Sequence, residues 1–142
     1  MPVTIEDMYT QKYEIEQNKF TPKEAYNRLL ISRGYYASFL YARKLFDGNA
    51  KYKLSLYSES LDDRSYGSHE EIYESLIRSE VDNLKYVGKV LKKYHKLRKI
   101  SDYKMHSHIK DYDVISAEQH FQDCKERIDF FIDNGDVDFP VT

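Results

Sequence analysis

The chain has 142 residues, a formal net charge of −2, 14 Tyr, no Trp, and only 5 Gly and 3 Pro. That length suits one domain with one core, expected over 1–142, and the scarcity of Gly and Pro disfavours a turn-rich β fold. The single cysteine, Cys124, excludes an internal disulfide framework. No run is long and apolar enough to span a bilayer, and the N-terminus lacks the basic and apolar regions of a secretory signal, so a cytoplasmic protein with no membrane partner is expected.

Residues 4–18 carry a ragged apolar stripe of Ile5, Met8, Tyr9, Tyr13 and Ile15, with Thr4 placed to cap it. A peripheral first helix within 1–20 is expected. Thr21-Pro22-Lys23-Glu24 is a strong helix start: Thr as N-cap, Pro at the first position, Glu closing a capping box. The helix over 26–46 then has two apolar rows. Leu29, Tyr36 and Leu40 form one, with Arg33 in its middle; Tyr35, Phe39, Ala42 and Phe46 form the other. A helix apolar on most of its circumference is the central member of a bundle. Arg33 stands where a Leu is expected, and a guanidinium there needs a carboxylate or an anionic ligand. The helix should stop near Asp47-Gly48-Asn49, and 47–66 shows no period.

Ser68-His69-Glu70-Glu71 is a second capping box, opening a helix through Ile72, Tyr73, Leu76 and Ile77. Residues 79–82 either begin another helix or bend this one. Leu84, Val87, Leu91 and Tyr94 step by three, four and three, and the next step of four lands on Arg98. Gly88 interrupts that helix and suits close packing on a neighbour. Residues 101–115 read as a loop, and Ser116-Ala117-Glu118-Gln119 as a third capping box. A last helix runs through Phe121, Cys124, Ile128, Phe131 and Ile132 to Asn134-Gly135. The acidic tail 136–142 contains Pro140 and is expected to fray. The pattern predicts an all-α, up-and-down bundle of four to five helices.

Charge is unevenly spread. Residues 85–110 hold nine Lys and Arg against one acid, Asp102, a net of +8; the remaining 13 bases and 23 acids leave −10 elsewhere. Lys85, Lys89, Lys92, Lys96 and Lys99 run along one face of the long helix, a pattern that is more commonly a solvated amphipathic face but that, with so few acids to balance it, also suits a phosphate backbone. Tyr35, Tyr36, Tyr41 and Tyr94, at helical spacing, read as core or interface residues in preference to base-stacking ones. His95 and His120 read as helix-surface residues. His106 and His108 form an H-x-H pair with no visible third ligand, so no metal is expected.

Three pieces carry a resemblance. Ser32-Arg33-Gly34-Tyr35-Tyr36-Ala37-Ser38-Phe39-Leu40-Tyr41-Ala42-Arg43 resembles the SRxYYAxFxxAR helix of HEPN-domain proteins. Gly67-Ser68-His69 is similar to the His-bearing segment that opens a later helix, and Leu97-Arg98-Lys99-Ile100-Ser101-Asp102-Tyr103 to the LRxxADY segment that closes the long one. The resemblance spans 26–103. It implies a HEPN-like bundle that acts on RNA, as a toxin, a defence component or a nucleotidyltransferase partner. It also implies a dimer in which two Arg-bearing segments face one cleft. HEPN ribonucleases use an Arg followed a few residues later by a His, with no metal and no cofactor: a base takes the ribose 2′-hydroxyl proton and the Arg stabilises the phosphorane. Here Arg98 matches the arginine, Tyr103 stands at the histidine's distance with Asp102 before it, and the first downstream histidine, His106, lies further on.

Arg33, Arg98, Asp102 and Tyr103 are therefore expected to converge near the C-terminal end of the long helix, with His69 or His106 at the edge. The expected partners are RNA, a second copy of the chain, and a cognate antitoxin, nucleotidyltransferase or defence complex. Two other readings use the same residues. In one, the arginines are a structural network and the basic face docks an acidic partner. In the other, they bind a nucleotide or small anion without cleavage.

Overall fold

The computed structural model describes residues 4–17, 23–46, 68–104 and 108–135. These form five α-helices, and no strand occurs among them: α1 (Ile5–Gln17), α2 (Lys23–Lys44), α3 (Ser68–Ile77), α4 (Asp82–Tyr103) and α5 (Asp111–Asn134). No described helix is long and apolar enough to cross a membrane. Thr21, Pro22, Gly67, His106, the segment 47–66 and the tail 136–142 lie outside the described residues.

Local chemistry sets most helix ends. At α1 the Thr4 hydroxyl accepts the Asp7 amide and the Asp7 carboxylate accepts the Thr4 amide, both at 3.0 Å, a reciprocal cap. Between α3 and α4, Ser79 Oγ accepts the Val81 amide at 3.1 Å, so a new helix starts at Asp82. The α5 start corrects two expectations. Residues 101–103 belong to α4, and Ser116-Ala117-Glu118-Gln119 lies inside α5 with Ala117 buried. The helix begins instead at Asp111, where the Asp113 carboxylate accepts the Lys110 amide at 2.9 Å and two acids meet the positive end of the helix dipole. α4 outlasts its sequence signal because Arg28 of α2 donates to the carbonyls of Ile100 (3.2 Å) and Ser101 (2.8 Å) and thereby caps its last turn. Asn134-Gly135 ends α5 as its sequence predicts, with Gly135 at φ 69.

α2 is the central helix: it packs on α1, α4 and α5 and also touches α3, which rests chiefly on α4. Tyr9 meets Tyr41, Arg28 meets Ser101, Ile77 lies against Gly88, and Asn83 meets Arg127. Each pair joins an early position on one helix to a late one on the other, so α1/α2, α2/α4, α3/α4 and α4/α5 are antiparallel. It follows that α2 and α3 run the same way. The strict up-and-down alternation fails at that step, where the long segment 47–67 joins them.

Ile31, Tyr35, Phe39 and Ala42 of α2 pack with Leu76 of α3, Leu84, Val87, Leu91 and Tyr94 of α4, and Phe121, Cys124 and Ile128 of α5. The α4 seam is buried as its spacing predicts. On α2 the row through Tyr35 is the core row. The row Leu29–Arg33–Tyr36–Leu40 lies at the half-exposed edge, where Tyr36 is 37% exposed. Gly88 allows backbone contact between α3 and α4: a Cβ there would lie 2.7 Å from Ile77 N and 2.8 Å from Tyr73 O.

Candidate functional site

The end of α4 gathers the charged groups. Arg98 continues the apolar seam, and its Nε lies 2.8 Å from Asp102 Oδ2, one turn on. The N–H is not aimed at that oxygen, so the contact is an ion pair more than an in-line hydrogen bond. The Arg98 guanidinium carbon sits 5.4 Å from the centre of the Tyr103 ring, within cation–π range. Tyr103 itself is 69% exposed. From α2, Ser32 Oγ donates a long 3.4 Å bond to the same Asp102 oxygen. Arg28, Ser32 and Arg33 line, with Ser101 and Asp102, a cleft of about 360 Å³. Arg33 Nε is buried there without a hydrogen-bond partner. Arg98, Asp102 and Tyr103 thus meet, and Arg33 joins them through the cleft it shares with Asp102.

A stack of rings lies within electrostatic reach of Arg98. His69 Nδ1 is 2.8 Å from the Tyr35 hydroxyl, the direction of the bond depending on the imidazole tautomer. His69 lies 4.1 Å from Phe39 and 4.9 Å from His95, nearly parallel to it at 8°. His95 also stacks on Tyr35 at 5.3 Å. Burial, and then the positive charges of Arg98, Arg43 and Lys99, hold the His69 pKa below its ordinary value. Burial, and then His69, Lys99 and Arg98, bring that of His95 down to about 4, so both rings are neutral at pH 7. Burial raises the Tyr35 hydroxyl, opposed by Arg98. His95 is buried, which corrects its reading as a surface residue; His120 is half-buried against Tyr94, 5.7 Å away. Tyr35 and Tyr94 are core residues.

The lysine face is real as a surface. Lys89, Lys92, Lys93, Lys96 and Lys99 are exposed and border a groove between α3 and α4 of about 700 Å³, floored by Tyr73, Ile77 and His95. Lys92 is held by Glu74 at 3.1 Å, and Lys85 lies 3.8 Å from Asp82. Among the described residues the other four lysines have no carboxylate in ion-pairing reach.

Sequence reasoning missed Arg28 and the burial of His95, and it placed Tyr35 in the core without its bond to His69. Arg28 has Glu24 four positions earlier, and the two pair at 3.1 Å. Nothing local announces the α4 carbonyls it caps. The His69–His95 stack joins residues far apart in sequence, on two helices. Among the described residues, no group of three or more His, Cys, Asp or Glu side chains is placed to hold a metal ion. No family model, curated protein or solved structure matches this chain.

Proposed function

We propose that the chain is a HEPN-like RNA-targeting protein of a toxin or defence system, in which the Arg98 centre cleaves RNA without a metal. One observation carries this reading. Arg98 is held in place by Asp102 and Tyr103, within electrostatic reach of an imidazole, His69, that stays neutral at pH 7. A neutral imidazole is the form that accepts a proton. His69 takes the ribose 2′-hydroxyl proton, the 2′-oxygen attacks the adjacent phosphorus, and the P–O5′ bond breaks. Arg98 stabilises the charge on the phosphorane, and Arg33 holds a neighbouring phosphate. Tyr103 donates a hydrogen bond to a phosphoryl oxygen. The leaving 5′-oxygen takes its proton from solvent, and a 2′,3′-cyclic phosphate remains. The resemblance of 26–103 to HEPN proteins supports the assignment, as does the basic face of α4. A second copy of the chain, and a cognate antitoxin, nucleotidyltransferase or defence-complex protein, are its partners.

The test is incubation of the protein with total RNA and tRNA, followed by denaturing electrophoresis and detection of cyclic-phosphate ends. Arg98→Ala abolishes cleavage and keeps the helical circular-dichroism signal, and Tyr103→Phe lowers it. One observation favours a second reading, a non-catalytic interaction module: Asp102 already balances the charge of Arg98. If Arg98→Ala unfolds the protein, or the wild type cuts no RNA, that second reading replaces the first.

A further inference from the structure

We infer that the groove between α3 and α4 takes a single strand of RNA, and not a duplex. Its lysines hold about three consecutive phosphates, and a base is directed to the Tyr73–Ile77 floor. This rests on the RNA reading above, but it involves a surface distinct from the Arg98 centre.

The groove is asymmetric. Lys89, Lys92, Lys96 and Lys99 stand on the α4 side, one helical turn apart, across about 15 Å. The α3 side carries acids: Glu74, which holds Lys92 at 3.1 Å, and Glu70, whose charge reaches His95. Cations line one wall, while the carboxylates of Glu70 and Glu74 sit on α3 outside the lining of the other, and that arrangement suits one phosphate backbone. A duplex would bring its second strand of phosphates towards Glu70 and Glu74. The floor between the walls is apolar, formed by half-buried Ile77 and by the buried Tyr73, whose ring centre is 6.0 Å from Lys92 Nζ. A paired base keeps its faces inside the duplex stack, whereas an unpaired base turns one outward, and contact with an apolar or aromatic surface is the usual sequence-tolerant way to hold it. The length of the lysine row sets the footprint at about three phosphates. Near its Lys99 end the groove includes His95, which stacks on His69 within electrostatic reach of Arg98. A strand lying in the groove is therefore led towards the Arg98 centre.

The experiment is fluorescence anisotropy with a labelled oligouridylate and an RNA duplex of equal length, using wild type and Arg98→Ala. The oligouridylate binds roughly tenfold or more tightly than the duplex, and log affinity falls with log salt at a slope of about −2. Lys89→Glu with Lys96→Glu weakens binding roughly tenfold or more and flattens that slope. The charge-matched pair Lys44→Glu and Lys110→Glu, on exposed residues away from the groove, leaves binding within about twofold. Circular dichroism verifies that each variant is folded. Equal or tighter duplex binding, equal loss in the charge-matched pair, or no binding of the oligouridylate overturns the inference. The outcomes separate the two claims. If the protein cuts RNA while the groove variants bind normally, the RNA reading stands and the groove falls. If it binds single strands in the groove and cuts nothing, the groove stands and the nuclease reading falls.

Discussion

Arg28 ties α2 to the end of α4 with one guanidinium. It donates to the carbonyls of Ile100 and Ser101 and is held by Glu24, which also accepts the Ile109 amide at 3.1 Å. A cation on the last carbonyls of a helix satisfies orphan acceptors and meets the negative end of the dipole. Arg28→Ala should cost about 1–3 kcal/mol in urea unfolding and raise amide exchange across 100–104. His95 supplies a second test at this scale. Its folded pKa of about 4 lies below the ordinary histidine value, so the unfolded chain binds the extra proton between about pH 6.5 and pH 4. Stability from the neutral ring is complete above pH 6.5 and is lost as pH falls towards 4, by an amount on the order of 2–3 kcal/mol. Burial is the main cause, His69, Lys99 and Arg98 add to it, and Glu70 opposes it. His95→Phe should flatten the acid side of the stability–pH curve, read from urea midpoints at successive pH values. An unchanged curve would mean that another group titrates there.

At the scale of elements, what was legible and what was not divides on physical grounds. The α4 seam was legible because Leu84, Val87, Leu91 and Tyr94 are apolar and contiguous, so periodicity alone points inward. Gly88 was legible because a glycine in a helix interior needs a reason, and backbone contact with Ile77 is that reason. Gly88→Ala should push α3 off α4 and destabilise the protein by about 1–3 kcal/mol, since the added carbon meets backbone that cannot rotate aside. The stripe of α1 was ragged because one of its buried positions is Lys12. That side chain is 2% exposed, pairs with Glu118 at 2.8 Å and lies 4.2 Å from the centre of the Phe121 ring. A hydropathy pattern scores it as a break. Lys12→Met keeps the buried stem and leaves Glu118 partly solvated, so stability should move by no more than about 1 kcal/mol. Lys12→Ala empties the same space and should cost about 2–3 kcal/mol, which thermal unfolding of the two variants separates. The boundary between α4 and α5 was misplaced because the α4 cap comes from Arg28, a residue of another helix. The candidate site divides in the same way: Arg98, Asp102 and Tyr103 are close in sequence and were found together, while the ring stack of Tyr35, His69 and His95 comes from three helices.

At the scale of the whole molecule, an apolar edge of α2 stays half-exposed among the described residues, beside the core on which its Leu40 packs. Leu29, Arg33, Tyr36 and Leu40 occupy successive turns of α2 on its half-exposed side, and Tyr103 is exposed at the end of α4. A central helix of a small bundle has no need of a second apolar row unless something else covers it. Arg33 makes the same point in polar form, because its Nε is buried without a hydrogen-bond partner. A second copy of the chain, set so that the two α2 edges face one another, is the expected cover. An isologous contact of this kind lets each Tyr36 meet the partner's copy of the same row. Sedimentation equilibrium at micromolar concentration should therefore give twice the 17.0 kDa chain mass. Tyr36→Glu should return the monomer mass while keeping the helical signal, because Tyr36 is 37% exposed within one chain. A wild-type chain that sediments as a monomer throughout would remove the second copy from the proposed function and leave the α2 edge for a partner of another kind.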